Sequence, residues 1–460
     1  MTNLTVGSSS DYESILAAMQ DAGPGDTILL QTGYSGEKAV VTHNDMTVFG
    51  SGESVGIRLK LAVGIPTFTL TGTAPINIRD ASDGNGIVGN AGNNRITVSG
   101  GVDAVDGGLG SDRLIVNYAA ATGAVTGDST SNFTEAGGGG RSVTIADGTI
   151  EHFTILTGSG ADTITTGAGD DIIKTGNGAG TINAGQGANI VIGGRNADTI
   201  TALDGGNFIN AGNGKNTITS GGGNDTILTG KNSDTVTAGG GNDVITLRGG
   251  SDGVNAGAGT DKLIIDYAHI TSNVSGGITG GNLKAGYVGH IADGGVNIID
   301  FQASERFTIT TGSGNDHITT GNGRDVLVGG RGNDHFWARG GNDQIFGGAG
   351  SDWLRGGTGD DILKGGAGAD HFGFGNRSGH DIIRGFMVGV DTIDLNAIDA
   401  DSLTLGNQSF NFIGDQSLSQ AGDLRYHGGV VSGDTDGDGL ADFSIRISNH
   451  AALTQFDFLL

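Results

Sequence analysis

Residues 347–372 read GGAGSDWLRGGTGDDILKGGAGADHF, and they show the repeating unit of the chain in its most regular form. It contains three successive copies of a nine-residue unit, G-G-x-G-x-D-x-U-x, in which U is an apolar residue. The sixth position is aspartate in each copy: Asp352, Asp361 and Asp370. The first six residues of the unit fit a glycine-rich turn, and the last three fit a short strand whose middle side chain points inward.

The same nine-residue register extends through most of the chain in two long runs and one short run. The first long run places these residues at the sixth position: Asp162, Asp171, Gly180, Asn189, Asp198, Asn207, Asn216, Asp225, Asp234, Asp243, Asp252 and Asp261. The second places Asp316, Asp325, Asp334, Asp343, Asp352, Asp361 and Asp370. A shorter early run holds Asn85, Asn94, Asp103 and Asp112. An apolar residue follows two positions after every member of the long runs, which a flexible linker would not maintain.

This register predicts an all-β fold, a right-handed parallel β-helix or β-roll solenoid with an N-terminal capping helix. Two units complete one coil, so each aspartate lies beside the aspartate two units later. Calcium takes six to eight oxygen ligands, and carboxylates together with turn carbonyls would supply them. We therefore predict several Ca²⁺ ions, bound by every aspartate of the two long runs.

The G-G-x-G-x-D-x-U-x unit resembles the calcium-binding repeat of RTX (repeats-in-toxin) proteins, over about two thirds of the chain. The resemblance implies a secreted, calcium-dependent β-roll. One apolar side chain in nine residues buries little area against a backbone entropy cost of roughly 1–2 kcal/mol per residue. Calcium binding is therefore expected to supply much of the folding free energy.

The chain is also strongly acidic. Its net charge is −26, and only six of its 50 acidic residues are glutamates. The bias to aspartate indicates turns and hard-cation ligation. We expect such a protein to bind no nucleic acid or anionic membrane, and to repel its own copies until cations bind. There is no cysteine, no apolar run long enough for a transmembrane segment, and no signal-peptide pattern at the N-terminus.

The repeats divide the chain into seven predicted segments: an N-terminal cap with the first coils (1–80), a short roll (81–112), a β-rich insert (113–157), the first main roll (158–263), a second insert (264–311), the second main roll (312–372) and a C-terminal region (373–460). The inserts resemble each other, since one opens with DRLIVNY at Asp112 and the other with DKLIIDY at Asp261. We predict that both continue the solenoid axis as wider, calcium-free coils.

The N-terminal segment predicts a helix over 11–22, with apolar Ile15, Leu16, Ala18 and Met19 at helical spacing. The strand pattern that follows, through Gly50, makes this segment similar to the cap of pectin-lyase-like β-helices, which include alginate epimerases. A solenoid needs a cap over its first apolar layer, so a structural role explains the segment equally well.

Residues 373–460 resemble the C-terminal region of serralysin-type proteases, through DTIDL at 391–395 and GDLRY at 422–426. Within this region Asp434, Asp436, Asp438 and Asp442 match an EF-hand-like loop that lacks its final glutamate, so a calcium site and an Asp-Gly hairpin both remain open. The final FDFLL, at 456–460, resembles the tail that type I secretion systems recognise; a plain final strand is the alternative.

The sequence predicts no enzyme. It contains no His-Glu dipeptide, hence no H-E-x-x-H zinc protease motif, and no Asp-Pro-His of the epimerases. GESVG at 52–56 fits G-x-S-x-G, but no α/β pattern surrounds it, and a turn is the better interpretation. His317, His335 and His371 follow roll aspartates and are predicted to be surface residues.

The leading hypothesis is a secreted calcium-binding structural protein of the cell surface or extracellular matrix, of the surface-layer, biofilm-matrix or adhesin type. It would leave the cell through a type I secretion apparatus, fold on calcium and assemble into a homo-oligomeric sheet or filament, with cell-surface polysaccharide as a further partner. The alternative is a polysaccharide-modifying or glycan-binding β-helix protein related to alginate epimerases. An ice-binding roll is disfavoured, because the third turn position holds a threonine only at Thr358.

Overall fold

A computed structural model describes residues 1–8, 10–51, 56–80, 83–137, 139–295, 297–376 and 378–460. It confirms the predicted fold class, since nearly all regular structure is short β-strand and successive coils stack in parallel. Contacts divide the chain into two compact units, Met1–Leu228 and Thr229–Leu460. The division falls inside the segment predicted as the first main roll.

Unit 1 contains one helix, α1 (Ile15–Asp21), and a series of strands. The strands are β1 (Asn3–Val6), β2 (Thr27–Leu30), β3 (Lys38–Val41), β4 (Met46–Gly50), β5 (Ile57–Leu61), β6 (Thr67–Gly72), β7 (Ile76–Arg79), β8 (Gly86–Val88), β9 (Arg95–Val98), β10 (Val102–Asp106), β11 (Arg113–Asn117), β12 (Val125–Asp128), β13 (Asn132–Glu135), β14 (Ser142–Ile145), β15 (His152–Leu156), β16 (Thr163–Thr165), β17 (Ile172–Lys174), β18 (Thr181–Asn183), β19 (Ile190–Gly194), β20 (Thr199–Thr201), β21 (Phe208–Gly212), β22 (Thr217–Thr219) and β23 (Thr226–Leu228).

Unit 2 ends in a short 3₁₀ helix, Gln455–Asp457, and a final strand. Its strands are β24 (Thr235–Thr237), β25 (Val244–Leu247), β26 (Asp252–Asn255), β27 (Lys262–Asp266), β28 (Val274–Asn282), β29 (Gly286–Asp293), β30 (Ile298–Ser304), β31 (Arg306–Thr310), β32 (His317–Thr319), β33 (Val326–Arg331), β34 (His335–Trp337), β35 (Gln344–Ala349), β36 (Trp353–Arg355), β37 (Ile362–Ala367), β38 (His371–Gly375), β39 (His380–Ile383), β40 (Thr392–Ala397), β41 (Asn411–Gly414), β42 (Asp423–His427), β43 (Val430–Gly433), β44 (Phe443–Ile447) and β45 (Phe458–Leu459).

Each coil of unit 1 contributes strands to two sheets that face each other across the core. Sheet A includes β16, β18, β20 and β22, and sheet B includes β15, β17, β19, β21 and β23, all paired in parallel. In β18 the middle residue, Ile182, is 1% exposed, and Ile200 in β20 is equally buried. One inward apolar side chain per strand is therefore the whole repeating core, as the nine-residue pattern predicts.

The capping helix is shorter than the pattern indicates. It begins after Ser14, whose Oγ accepts a hydrogen bond from the N–H of Ala17 at 3.1 Å, and it ends at Asp21. Ile15, Ala18 and Met19 are buried, whereas Leu16 is 50% exposed. Successive side chains of a helix point about 100° apart around its axis. Leu16 follows Ile15 and therefore lies outside the buried stripe, although the sequence pattern predicted it within that stripe.

The inserts differ from the predicted wider coils. In unit 1, β12, β13 and β14 form an antiparallel meander whose outer strands pair in parallel with β16 and β10. The opposite sheet continues without interruption from β11 to β15. In unit 2, β28, β29 and β30 repeat this arrangement between β32 and β26. Each insert therefore adds two strands to one sheet only. Short turns can join antiparallel neighbours, so the added strands need no crossover to the opposite sheet.

Candidate calcium ladders

The predicted calcium ligands form ladders in which each residue is hydrogen-bonded to the next coil. The N–H of Asp316 donates to Oδ1 of Asp334 at 2.9 Å, and the N–H of Asp334 donates to Oδ1 of Asp352 at 2.8 Å. These partners are 18 residues apart, which is one full coil. The opposite edge of unit 2 repeats the pattern from Asp325 to Asp343 and Asp361. Aspartates of successive coils are therefore stacked, as the sequence predicts.

The ladder side chains are buried rather than displayed at the turn surface. All fifteen predicted ladder aspartates are at most 2% exposed. They are Asp162, Asp171, Asp198, Asp225, Asp234, Asp243, Asp252, Asp261, Asp316, Asp325, Asp334, Asp343, Asp352, Asp361 and Asp370. A buried carboxylate needs a hydrogen-bond donor, a proton or a cation on each oxygen.

In many of these residues Oδ1 has a donor but Oδ2 is buried with no hydrogen-bond partner. The ladder residues with such an oxygen are Asp103, Asp112, Asp171, Asp198, Asp252, Asp261, Asp316, Asp325, Asp334, Asp343, Asp352, Asp370 and Asp381. Asp162 differs, because its Oδ2 accepts a hydrogen bond from the Thr157 hydroxyl. One unsatisfied buried oxygen would cost about 1–3 kcal/mol, and a series of them calls for cations.

The asparagines of the first run show which groups surround that second side-chain atom. The Nδ2 of Asn207 donates to the carbonyls of Leu203 and Gly205, both at 2.9 Å. The Nδ2 of Asn189 likewise donates to the carbonyls of Gly185 and Gly187, at 3.3 and 3.1 Å. At an aspartate position Oδ2 takes the place of this nitrogen, so we infer that it faces the same turn carbonyls. Such a set of oxygens fits a hard divalent cation, and calcium is the cation that takes this ligand set with irregular geometry.

Electrostatics agrees with this interpretation. Desolvation by burial raises the pKa of Asp325 and of Asp334 to about 7. The pKa of Asp343 rises to about 9, first because of burial and then because of its neighbours Asp325 and Asp361. Without a bound cation these carboxyls would hold protons near neutral pH, because the charged form is poorly solvated.

The first glycine of the unit makes room for the carboxylate. A Cβ added to Gly365 would overlap with Oδ2 of Asp370, and one added to Gly347 would overlap with Oδ2 of Asp352. The second glycine, such as Gly366 at φ 124°, lies in the region that L side chains avoid. The first two glycines of the unit are therefore required for different reasons, the first for steric room and the second for its backbone conformation.

The ladders extend beyond the residues that the nine-residue register identified. The N–H of Asp361 donates to Oδ1 of Asp381 at 2.9 Å, and that of Asp370 donates to Oδ1 of Asp391 at 3.1 Å. The separations are 20 and 21 residues, so a search at fixed spacing ends at Asp370. The strand motif around Asp391, DTIDL, was visible and is the signal that could have found it.

At each insert a glutamate takes the place of the next aspartate. The N–H of Asp112 donates to Oε2 of Glu151, and the N–H of Asp261 donates to Oε2 of Glu305, both at 2.7 Å. The intervening 39 and 44 residues hide this relation in the sequence. These glutamates were not among the ligands predicted from the sequence, and the absence of calcium from the inserts stays a prediction.

The C-terminal loop brings three of its four predicted ligands together. Carboxylate oxygens of Asp434, Asp436 and Asp442 lie within 4.8 Å of one another, the one such cluster within the described residues. Asp438 is outside the cluster, and its Oδ1 accepts from the N–H of Leu440 at 2.7 Å. Asp434 also accepts from Gly437 and Gly439 N–H groups, as in a tight Asp-Gly turn. The loop has features of both predicted alternatives, and its calcium site stays a prediction.

The ladder residues coincide with a known repeat. The family model described as "RTX calcium-binding nonapeptide repeat (4 copies)" matches residues 82–114, 154–182, 174–209, 192–227, 201–236, 228–263, 308–336 and 337–372. This chain carries RTX repeats. RTX repeats bind several Ca²⁺ ions, which identifies the cation that the buried Oδ2 atoms call for. The matched residues are a little under half of the chain, less than the two thirds that the resemblance indicated.

Other comparisons add little to the RTX assignment. No curated protein matches the chain. Among solved structures, it is similar to the extracellular lipase LipA from Serratia marcescens, with 18% identity, 53% of this chain and 40% of that chain covered, and a TM-score of 0.17. The match thus spans less than half of the lipase, and the low TM-score carries no argument. RTX repeats in a β-solenoid fit a secreted calcium-binding protein.

The structure also bears on membrane-spanning helices, the G-x-S-x-G match and the histidines of the rolls. No helix in the described ranges is long and apolar enough to cross a membrane. The G-x-S-x-G match begins at Gly52, and its residues 52–55 lie outside the described part of the chain. His317 and His335 are exposed on their strands, as predicted, whereas His371 is half-buried. His335 stacks on Trp353 with ring centroids 5.3 Å apart.

The ladders also account for the acidity of the chain. Of its 50 acidic residues, 26 are buried in the described structure, which leaves 24 against 24 Lys and Arg. The excess negative charge is therefore internal, and the outer surface is much closer to neutral than the net charge of −26 indicates. The ladder geometry implies that bound calcium would neutralise this internal charge.

Proposed function

We propose that this protein is a secreted structural component of a cell surface or extracellular matrix, which folds on calcium and then associates with its own copies. The observation that carries the proposal is the internal location of its negative charge. The buried ladder aspartates, many of which have an oxygen without a hydrogen-bond partner, make the calcium-free coil unfavourable, whereas the calcium-loaded coil would present a surface with balanced charges.

Calcium binding would restrict folding of this protein to the outside of the cell. Extracellular calcium modules bind with Kd values of about 10⁻⁴–10⁻³ M, above the free calcium of the cytosol. A chain with such sites would stay unfolded inside the cell, where a type I transporter could export it, and would fold outside. RTX repeat proteins are typically secreted, which agrees with this order of events.

The second half concerns association. A large net charge keeps proteins apart, and a net charge near zero promotes association. Calcium would thus remove the repulsion in the same step that forms the solenoid. The helix α1 packs against β1, β2 and β3, the first strands of unit 1, so at this end we infer contact through sheet faces rather than by strand addition.

Electron microscopy and sedimentation of the full chain, with and without millimolar calcium, test this proposal. Ordered sheets or filaments that appear with calcium and dissolve in chelator would support it. Monodisperse folded particles at high protein concentration in calcium would refute the assembly, and a folded chain in chelator would refute the calcium coupling.

A second candidate function, ice binding, is favoured by a feature of sheet A. Threonines point outward in two ranks: Thr163, Thr181, Thr199 and Thr217 in one, and Thr165, Asn183, Thr201 and Thr219 in the other. Neighbouring strands are about 4.8 Å apart and the ranks about 6.6 Å apart, so the hydroxyls form a regular lattice. The turns lack a ladder of threonines, but these threonines are on the strands.

Ice recrystallisation assays distinguish the two candidates. If sheet A binds ice, Thr199→Lys should abolish inhibition of recrystallisation, whereas Thr226→Lys on the opposite sheet should not. Absence of inhibition by the calcium-loaded wild type would remove this candidate. Threonine is also a good strand former, so the lattice has a simple structural explanation.

A further inference from the structure

The first coils of unit 1 concentrate positive charge on one face of sheet B. Before Arg113 the chain has five Lys and Arg residues, and all five point outward from this sheet: Lys38, Arg58, Lys60, Arg79 and Arg95. Strand register places Lys38 beside Arg58, and Lys60 beside Arg79. Asn77 lies between Arg58 and Arg95 in the same rank. We call these five cations the basic face.

The side chains of the basic face are exposed and are not neutralised by neighbours. Each of the five belongs to the exposed class, and none forms an ion pair with a carboxylate of the described residues. The adjacent acids are otherwise engaged: Glu37 accepts from the N–H of Ile15, and buried Asp80 accepts from the N–H and hydroxyl of Ser99. Arg113, next in the rank, is tied to the carbonyls of Phe153 and Asp170.

A groove of about 560 Å³ runs over this face. All five cations line it, together with the half-buried polar side chains Asn77 and Thr97. Leu16 of α1 closes one side and is 50% exposed, and Val40 is 42% exposed. The groove therefore offers cations, neutral hydrogen-bonding groups and a small apolar wall along its length.

We propose that the basic face binds a linear, carboxylate-bearing polysaccharide, an interaction that is separate from calcium-driven assembly. The cations recur at the strand spacing of about 4.8 Å, a distance comparable with one sugar ring of an extended chain. Three of the five are arginines, whose guanidinium forks bind carboxylates with two parallel hydrogen bonds. Asn77 and Thr97 suit the hydroxyl groups between successive carboxylates.

Other anionic partners fit less well. Single-stranded nucleic acid is held by stacking of bases on aromatic side chains, and no aromatic side chain of the described residues lines this groove. A second copy of this chain would need an outward acidic ladder to match the basic face, but the acidic ladders of the described residues are buried. The polysaccharide is the partner that matches both the charge and the polar residues in between.

The test uses the full chain in millimolar calcium and a short oligogalacturonate of defined length as the probe, with titration calorimetry as the readout. The triple variant Arg58→Gln, Arg79→Gln, Arg95→Gln removes three charges from the groove. The matched control, Lys174→Gln, Arg195→Gln, Lys215→Gln, removes three exposed charges elsewhere in unit 1. All the substituted side chains are exposed, and circular dichroism in calcium verifies that both variants fold.

The wild type should bind the probe, with affinity falling as salt is raised, and should not bind a neutral galactan of equal length. The groove variant should bind about tenfold more weakly, the loss expected for three exposed charge contacts, and the control should match the wild type. Equal loss in both variants would overturn the proposal, as would binding that neither variant changes, since calcium itself would then bridge the carboxylates. Equally tight binding of single-stranded DNA of the same charge would overturn the choice of polysaccharide. None of these results depends on whether the protein forms sheets or filaments.

Discussion

Replacing Asp343 by asparagine should stabilise the calcium-free fold and weaken its response to calcium. Asp343 is 1% exposed, its Oδ1 accepts from the N–H of Asp325 at 2.7 Å, and its Oδ2 has no partner. An asparagine Nδ2 in that place would face turn carbonyls, as Asn207 does at 2.9 Å. The substitution replaces Oδ2, an oxygen that needs a cation, with Nδ2, a hydrogen-bond donor that needs no cation.

The magnitude follows from the pKa of this carboxyl. Burial, together with the neighbouring Asp325 and Asp361, raises the pKa from 3.8 to about 9. At pH 8 this carboxyl must therefore take up a proton on folding, which lowers the free energy of unfolding by on the order of 5 kcal/mol. Asparagine removes that cost and adds hydrogen bonds that contribute about 1 kcal/mol each. With calcium present the sign reverses, because a charged ligand is lost from a hard-cation site.

A calcium titration followed by circular dichroism measures both effects. Compared with the wild type, Asp343→Asn should show more β signal in chelator and should bind fewer ions by calorimetry. Asn189→Asp should do the opposite. Asp300→Asn, which removes the same charge from a side chain that is 74% exposed, serves as the control and should change the free energy of unfolding by less than about 0.5 kcal/mol. If Asp343→Asn instead has less β structure in chelator, the unpartnered oxygen is no liability and the account of the ladders fails.

Three further predictions concern calcium, pH and export. In crystals soaked with calcium, ions should occupy the ladders at 316–370 and 225–261 and be weak across 180–216, where Gly180 offers no side chain and the amides of Asn189 and Asn207 already bond the turn carbonyls; full, evenly spaced ions across 180–216 would contradict this. In metal-free buffer, β structure should increase as pH falls from 8 to 5.5: the folded pKa values of Asp334 and Asp343, about 7 and about 9, exceed the ordinary 3.8, so their contribution to stability is complete at low pH and is lost as pH rises through those values. A β signal independent of pH would show that these carboxyls do not oppose folding. Deleting residues 373–460 should leave the protein inside cells that have a matching type I transporter, while deleting only 457–460 should reduce export; normal secretion of the longer deletion, measured by immunoblot of the medium, would disprove targeting by this region.

The nine-residue register predicts those parts of this protein that depend only on neighbouring coils. In a solenoid each repeat contacts only the next, so a register such as Asp316, Asp325 and Asp334 predicts turn, strand, inward side chain and stacked carboxylate together. The glycines, the single apolar residue of each strand and the calcium chemistry all follow from nine residues. This is why the fold class and the ladders could be predicted without coordinates.

Contacts between residues at irregular separations could be found only in the folded chain. Asp261 meets Glu305 across an antiparallel insert of 44 residues, and Asp361 meets Asp381 over a coil of 20, so no fixed period finds them. The cations of the basic face are spaced unevenly along the chain and align only because the early coils differ in length. The net charge likewise follows from the sequence, but whether each acidic side chain is buried or exposed does not. Burial depends on which side of each turn a carboxylate occupies. The nine-residue period predicts the turn, strand and ligand that every coil repeats. The lengths of the irregular coils determine which residues of neighbouring coils lie side by side.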